Sequence, residues 1–573
     1  MVRCLTFEIR WHDTLPIYSC DFQPISSSRL TNVLDYNLGQ AASGLPPGQS
    51  LSGSREAGKQ NESHVPVLAG GQSWRLATAG GDNNVRIWMI HPNMPSPAAL
   101  AASSSASPHP PRVEYMSTLA RHTGVVNAVR FSPSGELLAS AGDDGAVLLW
   151  ARSHPSQPAF GESHLTSSDT DPLYDKETWR VRLMARPTTQ ELYDMAWSPE
   201  GDMLAVGGTD FAVRLIQTST GAVLREVSDH SHYIQGVAWD PLGSFLATQS
   251  SDRSVHIYHL TRGTGDKVDL TMASKHQRTD MRLSQAQASH ASSLHESQAT
   301  QSELPAIRPG PRKEESQPPG EASEHTQKMF GDDRCSSFFR RLAFSPDGAL
   351  LATPTGQYVP PAAPGSDASK ASPINTVYLY GRASLGCSHA PIAVLPGHKT
   401  VTLIVRFSPI LYHLRAMPEA VGQASAFALP YRMVYAVATQ DSVWVYDTQQ
   451  AGPLCCFSNL HYASFTDLAW SPDGQVLMMS SSDGYCSTAV FDYHELGQPY
   501  HYDQQPSLHR ATQHSEPAMP IPAPDKETPV SAKEPSAQAD TPAPPQPAHK
   551  PQTSEPKKKR RVALTFEGPL PTT

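Results

Sequence analysis

Apolar and polar positions alternate in short runs along this chain, and a turn signal closes nearly every run. The clearest stretch is VNAVRFSPSGELLASAGDDGAVLLW, residues 126–150. An apolar strand ends in an aromatic residue and an S-P-x-G turn. A second strand then reaches a small-residue/Asp turn, and a third ends in Trp150. Period-two alternation predicts strands. In the S-P-x-G turn, proline pre-sets φ and glycine accepts positive φ. The unit recurs at 192–216 (LYDMAWSPEGDMLAVGGTDFAVRLI), 233–258 (YIQGVAWDPLGSFLATQSSDRSVHIY) and 465–484 (FTDLAWSPDGQVLMMSSSDG). Another copy, 338–354, resumes at 375–380. Two more are split, 18–24 with 76–88 and 403–409 with 433–447, which makes seven. A single sheet of about four strands cannot bury both faces, so the repeats must stack on one another.

The repeat resembles the WD40 β-propeller family, with Ile87-Trp88 and Leu149-Trp150 where that family carries its W-D dipeptide. A histidine also stands nine residues before the aromatic in four units: His122, His230, His398 and His461. In WD40 proteins this histidine joins a structural hydrogen-bond network with the turn aspartate. The resemblance implies Asp144, Asp252 and Asp441 here, with Trp150 completing the second unit. Asp13, Thr188 and Cys335 occupy the histidine's place in the other three units, so those blades must be tied differently. The expected fold is all-β: a seven-bladed propeller over 1–498 with long disordered insertions and a disordered C-terminal tail. The alternating segment 5–11 is expected to pair with the last blade and close the ring, leaving no long sheet edge.

Composition explains the length. Proline is 52 of 573 residues, and the excess lies in four low-complexity insertions (about 25–72, 92–112, 151–176 and 262–328) and in the tail 499–555. Such segments carry too little apolar surface to offset ordering entropy. Glycine is far too scarce for collagen, and no apolar run is long enough for a membrane helix. The net charge of -9 gives no global attraction to nucleic acid or anionic membrane, so DNA contact is expected only indirectly. Seven scattered cysteines without a C-x-x-C pair argue for a reducing compartment, and the polar N-terminus argues against secretion.

No catalytic, cofactor or metal site is expected. Helical H-E-x-x-H, G-x-S-x-G and phosphate-loop contexts are all missing from the sequence. Asp143-Asp144 reads as turn chemistry, and Cys455-Cys456 as strand packing. The concentrated charge is Lys557, Lys558, Lys559, Arg560 and Arg561 in the final segment 556–573. It can be a solvated run or a nuclear import signal. Arg560, Arg561, Val562, Ala563 and Leu564 can also add as a strand to a partner's sheet edge. Thr528-Pro529 and Thr541-Pro542 are candidate phosphosites that would tune this basic motif.

The propeller as a whole is similar to the family formed by the middle (B) subunits of chromatin assembly factor 1. The carrying segments are Trp11-His12, SSFFRRLAFSPDGALLATP (336–354), LPYRMVYAVATQDSVWVYDTQQ (429–450) and SSSDGYCS (480–487). SFFRRL, DSVWVYDTQQ and DGYC are not general WD40 features. The resemblance implies a nuclear, non-catalytic subunit of a three-subunit histone chaperone that deposits H3–H4 during replication and repair. It implies docking to the large subunit and to the small, second WD40 subunit. It also implies binding of an anti-silencing H3–H4 chaperone through Arg560–Leu564, which resembles the short B-domain of the HIRA family. The alternatives are a HIRA-type chaperone, which would continue into a large C-terminal domain, and a ubiquitin-ligase adaptor. Arg340-Arg341 in SFFRRL is the candidate functional surface, with strand-edge structural use as the competing reading.

Overall fold

The computed structural model describes residues 2–37, 72–94, 110–153, 175–263, 267–280, 326–331, 337–359, 372–387, 390–416, 425–492 and 495–500. Among them, seven four-stranded antiparallel sheets follow one another in chain order. Their inner strands are Ile17–Phe22, Val126–Phe131, Leu192–Trp197, Ile234–Trp239, Ala343–Phe344, Thr402–Tyr412 and Phe465–Trp470, defining blades 1 to 7. This is the seven-bladed propeller. Apolar clusters lie between neighbouring blades: Ala77, Val85 and Ile87 of blade 1, for example, pack on Val129, Phe131 and Trp150 of blade 2.

The turns form as their residues dictate. Gly135, Gly201, Gly243, Gly348 and Gly474 all sit at φ between 70° and 75°. Each glycine amide bonds back to the carbonyl three residues earlier, as Gly135 does to Ser132 at 2.8 Å. The turn serine then accepts the next strand's first amide on its hydroxyl, as Ser132 does from Leu137 at 3.1 Å.

Closure comes from Arg3–Phe7, which pairs antiparallel with Cys486–Val490. The strand lies nearer the terminus than the 5–11 expected. Trp11 turns inward instead, fully buried and edge-on to Trp88 at 4.7 Å.

Two insertions need correction. Within 25–72, residues Ser27–Asn37 form a helix. Leu30, Val33 and Leu34 make an apolar stripe at helical spacing, and Val33 and Leu34 are buried against the cores flanking blade 7. Within 262–328, Val268–His276 is the outer strand of blade 4, and Arg278–Asp280 pairs with Thr326–Lys328. A solvent-facing outer strand needs few aromatics, which is why composition concealed it. Among the described residues no helix is long and apolar enough to cross a membrane.

Candidate functional site: the blade ties and the charged axis of the ring

At the end of the ring where the inner strands begin, blades 1, 2, 3, 4 and 7 each carry a polar tie. In blade 2, His122 Nδ1 lies 3.0 Å from Asp144 and Nε2 lies 2.8 Å from Ser140 Oγ. Trp150 Nε1 donates to the same hydroxyl at 2.8 Å. The relay therefore runs from indole to hydroxyl to imidazole to carboxylate. Burial alone would raise the Asp144 carboxyl, but the His122 bond and the Thr123 and Ala146 amides outweigh it and hold the group at about 2. Blade 4 repeats the arrangement with His230, Asp252 and Thr248 at 2.9 and 2.8 Å.

The remaining ties depart from the fixed spacing. His12, ten residues before Phe22, makes the full blade 1 relay with Asp82 at 2.6 Å, Thr78 at 2.8 Å and Trp88. Asp13, the residue at the expected offset, instead pairs with Arg86 at the surface. Thr188 does bond the blade 3 turn aspartate, Asp210, at 2.8 Å. His461 pairs with Asp483 at 3.0 Å. Its hydroxyl comes from Ser487, because Met479 stands at the usual position directly across the strand pair. Cys335 lies outside the described residues.

His398 does not reach Asp441. In blade 2 four residues separate the paired strands (Gly142 to Val147), but in blade 6 only two do (Thr439 to Ser442). The shorter turn leaves Asp441 bonded to Thr400 and Thr439, at 2.8 and 2.9 Å. His398 keeps one long contact to Tyr446, 3.5 Å, and its Nδ1 has no partner. Burial lowers its pKa to about 4.

Arg340 and Arg341 form no surface. They are 1% and 0% exposed, and Arg341 occupies the axis of the ring. Its guanidinium bonds Asp467 and the Thr466 carbonyl of blade 7, and the Asn127 carbonyl of blade 2 at 2.8 Å. Asp194 of blade 3 lies 3.6 Å away, and Phe339 stacks below at 4.3 Å. Asp467 also receives Arg130 at 2.7 Å and Arg406 at 3.3 Å. Burial would raise this carboxyl, yet the three guanidiniums drive it far below the usual carboxylate range. Asp21, partly buried beside them without a direct ion pair, is pushed up to about 6 by desolvation against the pull of Arg130.

A sequence signal for this axis exists. Ser19, Asp21, Arg130, Asp194, Arg341, Arg406 and Asp467 all lie one or three residues before their unit's aromatic. Strand alternation puts both positions on the same side, facing the axis. The backbone adds a second link: Arg340 N bonds the Gln235 carbonyl of blade 4, and Arg341 bridges to Ile404 of blade 6. Gly236 makes the first approach possible, since a Cβ there would lie 1.9 Å from the Arg340 oxygen.

One metal-like grouping, His230, Asp252 and His256, is also structural. The two imidazoles stack at 3.7 Å with 8° between planes, so one ion cannot lie in both ring planes. Lys557 to Leu564 lie outside the described residues, as do both Thr-Pro pairs.

Comparison with known proteins places this architecture. The CAF1B/HIR1 beta-propeller domain family matches residues 60–296 and 311–496. The B subunit of chromatin assembly factor 1 from Schizosaccharomyces pombe is 36% identical over 467 residues, covering 76% of this chain and 86% of the relative. The corresponding Mus musculus protein is 31% identical, covering 87% and 68%. Protein HIR1 of Kluyveromyces lactis is 26% identical and covers 76% of this chain but 42% of its own length. With the propeller profile spanning the ring and similarity to these relatives over most of the chain, the protein belongs to the family of chromatin assembly factor 1 B subunits.

Proposed function

We propose that this chain is the WD40 scaffold subunit of a chromatin assembly complex, acting by binding and not by covalent chemistry. The observation that carries the reading is the similarity to the B subunits of chromatin assembly factor 1 over most of both chains. The ring suits the task physically. Blades locked at the axis by ion pairs present fixed edges and faces, so little ordering entropy is lost when partners dock. On this reading the ring holds the large subunit within a complex that includes a second WD40 subunit and handles H3–H4. Arg560 to Leu564 bind a histone-donating chaperone, and their covalent attachment raises its local concentration beside the acceptor. Lys557 to Arg561 direct the chain to the nucleus.

The test is affinity purification of the full chain and of a chain lacking 556–573. The full chain recovers the large subunit, the second WD40 protein, H3–H4 and the H3–H4 donor chaperone. Added to the same nuclear extract as the full chain, so that import plays no part, the shortened chain loses only the donor chaperone. Retention of that chaperone would remove the motif assignment. Recovery of a HIR1-type assembly, or of a cullin without histones, would replace the scaffold reading.

A further inference from the structure

Where the inner strands end, at the opposite mouth of the ring axis, blades 2 to 6 line an open pocket of about 280 Å³. Its donors are under-used. Trp197 and Trp470 each donate their indole N–H to a carbonyl of the preceding blade, Arg130 at 3.0 Å and Arg406 at 3.1 Å. Trp239 has the equivalent place in blade 4 and is 7% exposed, but its Nε1 has no partner. Arg130 Nη2 also has no hydrogen bond, its carboxylate neighbour Asp194 being 3.7 Å off. Arg406 makes one side-chain bond, 3.3 Å to Asp467, and keeps a quarter of its side chain exposed.

An unsatisfied buried donor is costly, and here two guanidiniums and an indole line one cavity. Their charges are not fully met. Arg130, Arg341 and Arg406 share two directly paired carboxylates, Asp194 and Asp467. The third carboxyl, Asp21, lies beside them without a direct ion pair, and burial pushes it up to about 6. Leu342 and Phe344 supply apolar wall, which suits a short methylene stem more than a hydrated inorganic ion.

We propose that this pocket receives the side-chain carboxylate of an Asp or Glu on a segment of a partner protein. The carboxylate accepts from Arg406 and Arg130 and from the Trp239 indole, while its stem lies against the apolar wall. The pocket uses none of the residues of the C-terminal motif.

A fluorescein-labelled oligoglutamate peptide, titrated into the full chain and read by anisotropy, tests the assignment, with oligolysine as the charge control. Wild type binds oligoglutamate saturably and oligolysine not at all. Losing a charged donor in Arg406→Gln weakens binding roughly tenfold, and losing a neutral donor in Trp239→Phe weakens it about fivefold. Unchanged affinity in both variants overturns the proposal and transfers binding to another basic surface, such as the groove between blades 1 and 2 lined by Arg29, Arg75, Arg152 and Arg182. Absence of saturable binding to wild type overturns it too, leaving water as the pocket's occupant. A readout on unaltered protein guards against misfolding of the variants. In ¹⁵N-tryptophan-labelled wild type, the Trp239 indole resonance shifts with added peptide, and a stationary resonance overturns the proposal.

Discussion

Asp467 is the residue on which the ring's axis converges, and Asp467→Asn removes its charge while keeping its volume. The carboxylate is fully buried and meets Arg130, Arg341 and Arg406. An asparagine there would turn an NH₂ donor toward three donor groups and leave Arg341, itself 0% exposed, short of anionic partners. Breaking a buried ion pair by removing one member costs about 3–5 kcal/mol. For roughly 350 ordered residues at ~2.1 cal/mol/K each, that corresponds to a fall in Tm of about 4–7 °C. The assay is calorimetry at a fixed scan rate, since large rings unfold irreversibly. Adding Arg341→Met to Asp467→Asn removes one orphaned guanidinium and should restore part of the loss, the non-additivity expected of contacting residues. A single variant within about 1 °C of wild type would refute the claim that these charges lock the ring.

Removing the blade 2 tie with His122→Phe strands Asp144 and Ser140 and should cost about 2–4 kcal/mol, whereas His398→Phe, which gives up one long contact, should be within about 1 kcal/mol of wild type. Equal losses in the two variants would contradict the ties as described. His398 also sets a pH response. Its folded pKa of about 4 lies below the unfolded value near 6.5, so the unfolded chain binds the proton first and stability falls as pH drops through that window. Between pH 7 and 5, wild type should lose about 2 kcal/mol more than His398→Phe. Carboxyls such as Asp21, whose raised pKa acts in the opposite direction, are common to both proteins and cancel in the difference. Parallel pH profiles would show that His398 is protonated as easily folded as unfolded. Gly236→Ala drives a methyl onto the Arg340 carbonyl and should destabilise by at least ~2 kcal/mol, measured by thermal unfolding; a neutral result would place these backbones further apart.

The repeat, its seven copies and its turns are legible in the sequence because each is local: an alternating run, a proline and a glycine at fixed offsets. The ties are half legible. The histidine offset finds four residues, but one inserted residue hides His12, and a turn two residues shorter separates His398 from Asp441. The axis is hidden for a different reason. Arg341 and Asp467 stand 126 positions apart, and only ring closure brings their blades face to face. Read singly, Arg340-Arg341 is a charged dipeptide and suggests a surface. Read as one-and-three-before-the-aromatic across all units, Arg341 falls on the inner face. The helix Ser27–Asn37 escapes a compositional reading because its short apolar stripe sits at the start of a polar stretch.

Whether this ring is a scaffold for histone deposition is decided by quantitative purification of the tagged full chain from nuclear extract. A scaffold of this kind requires stoichiometric recovery of a large charged subunit, a second WD40 protein and H3–H4. Recovery of the chain without H3–H4, or with a ubiquitin-ligase core in their place, would contradict it.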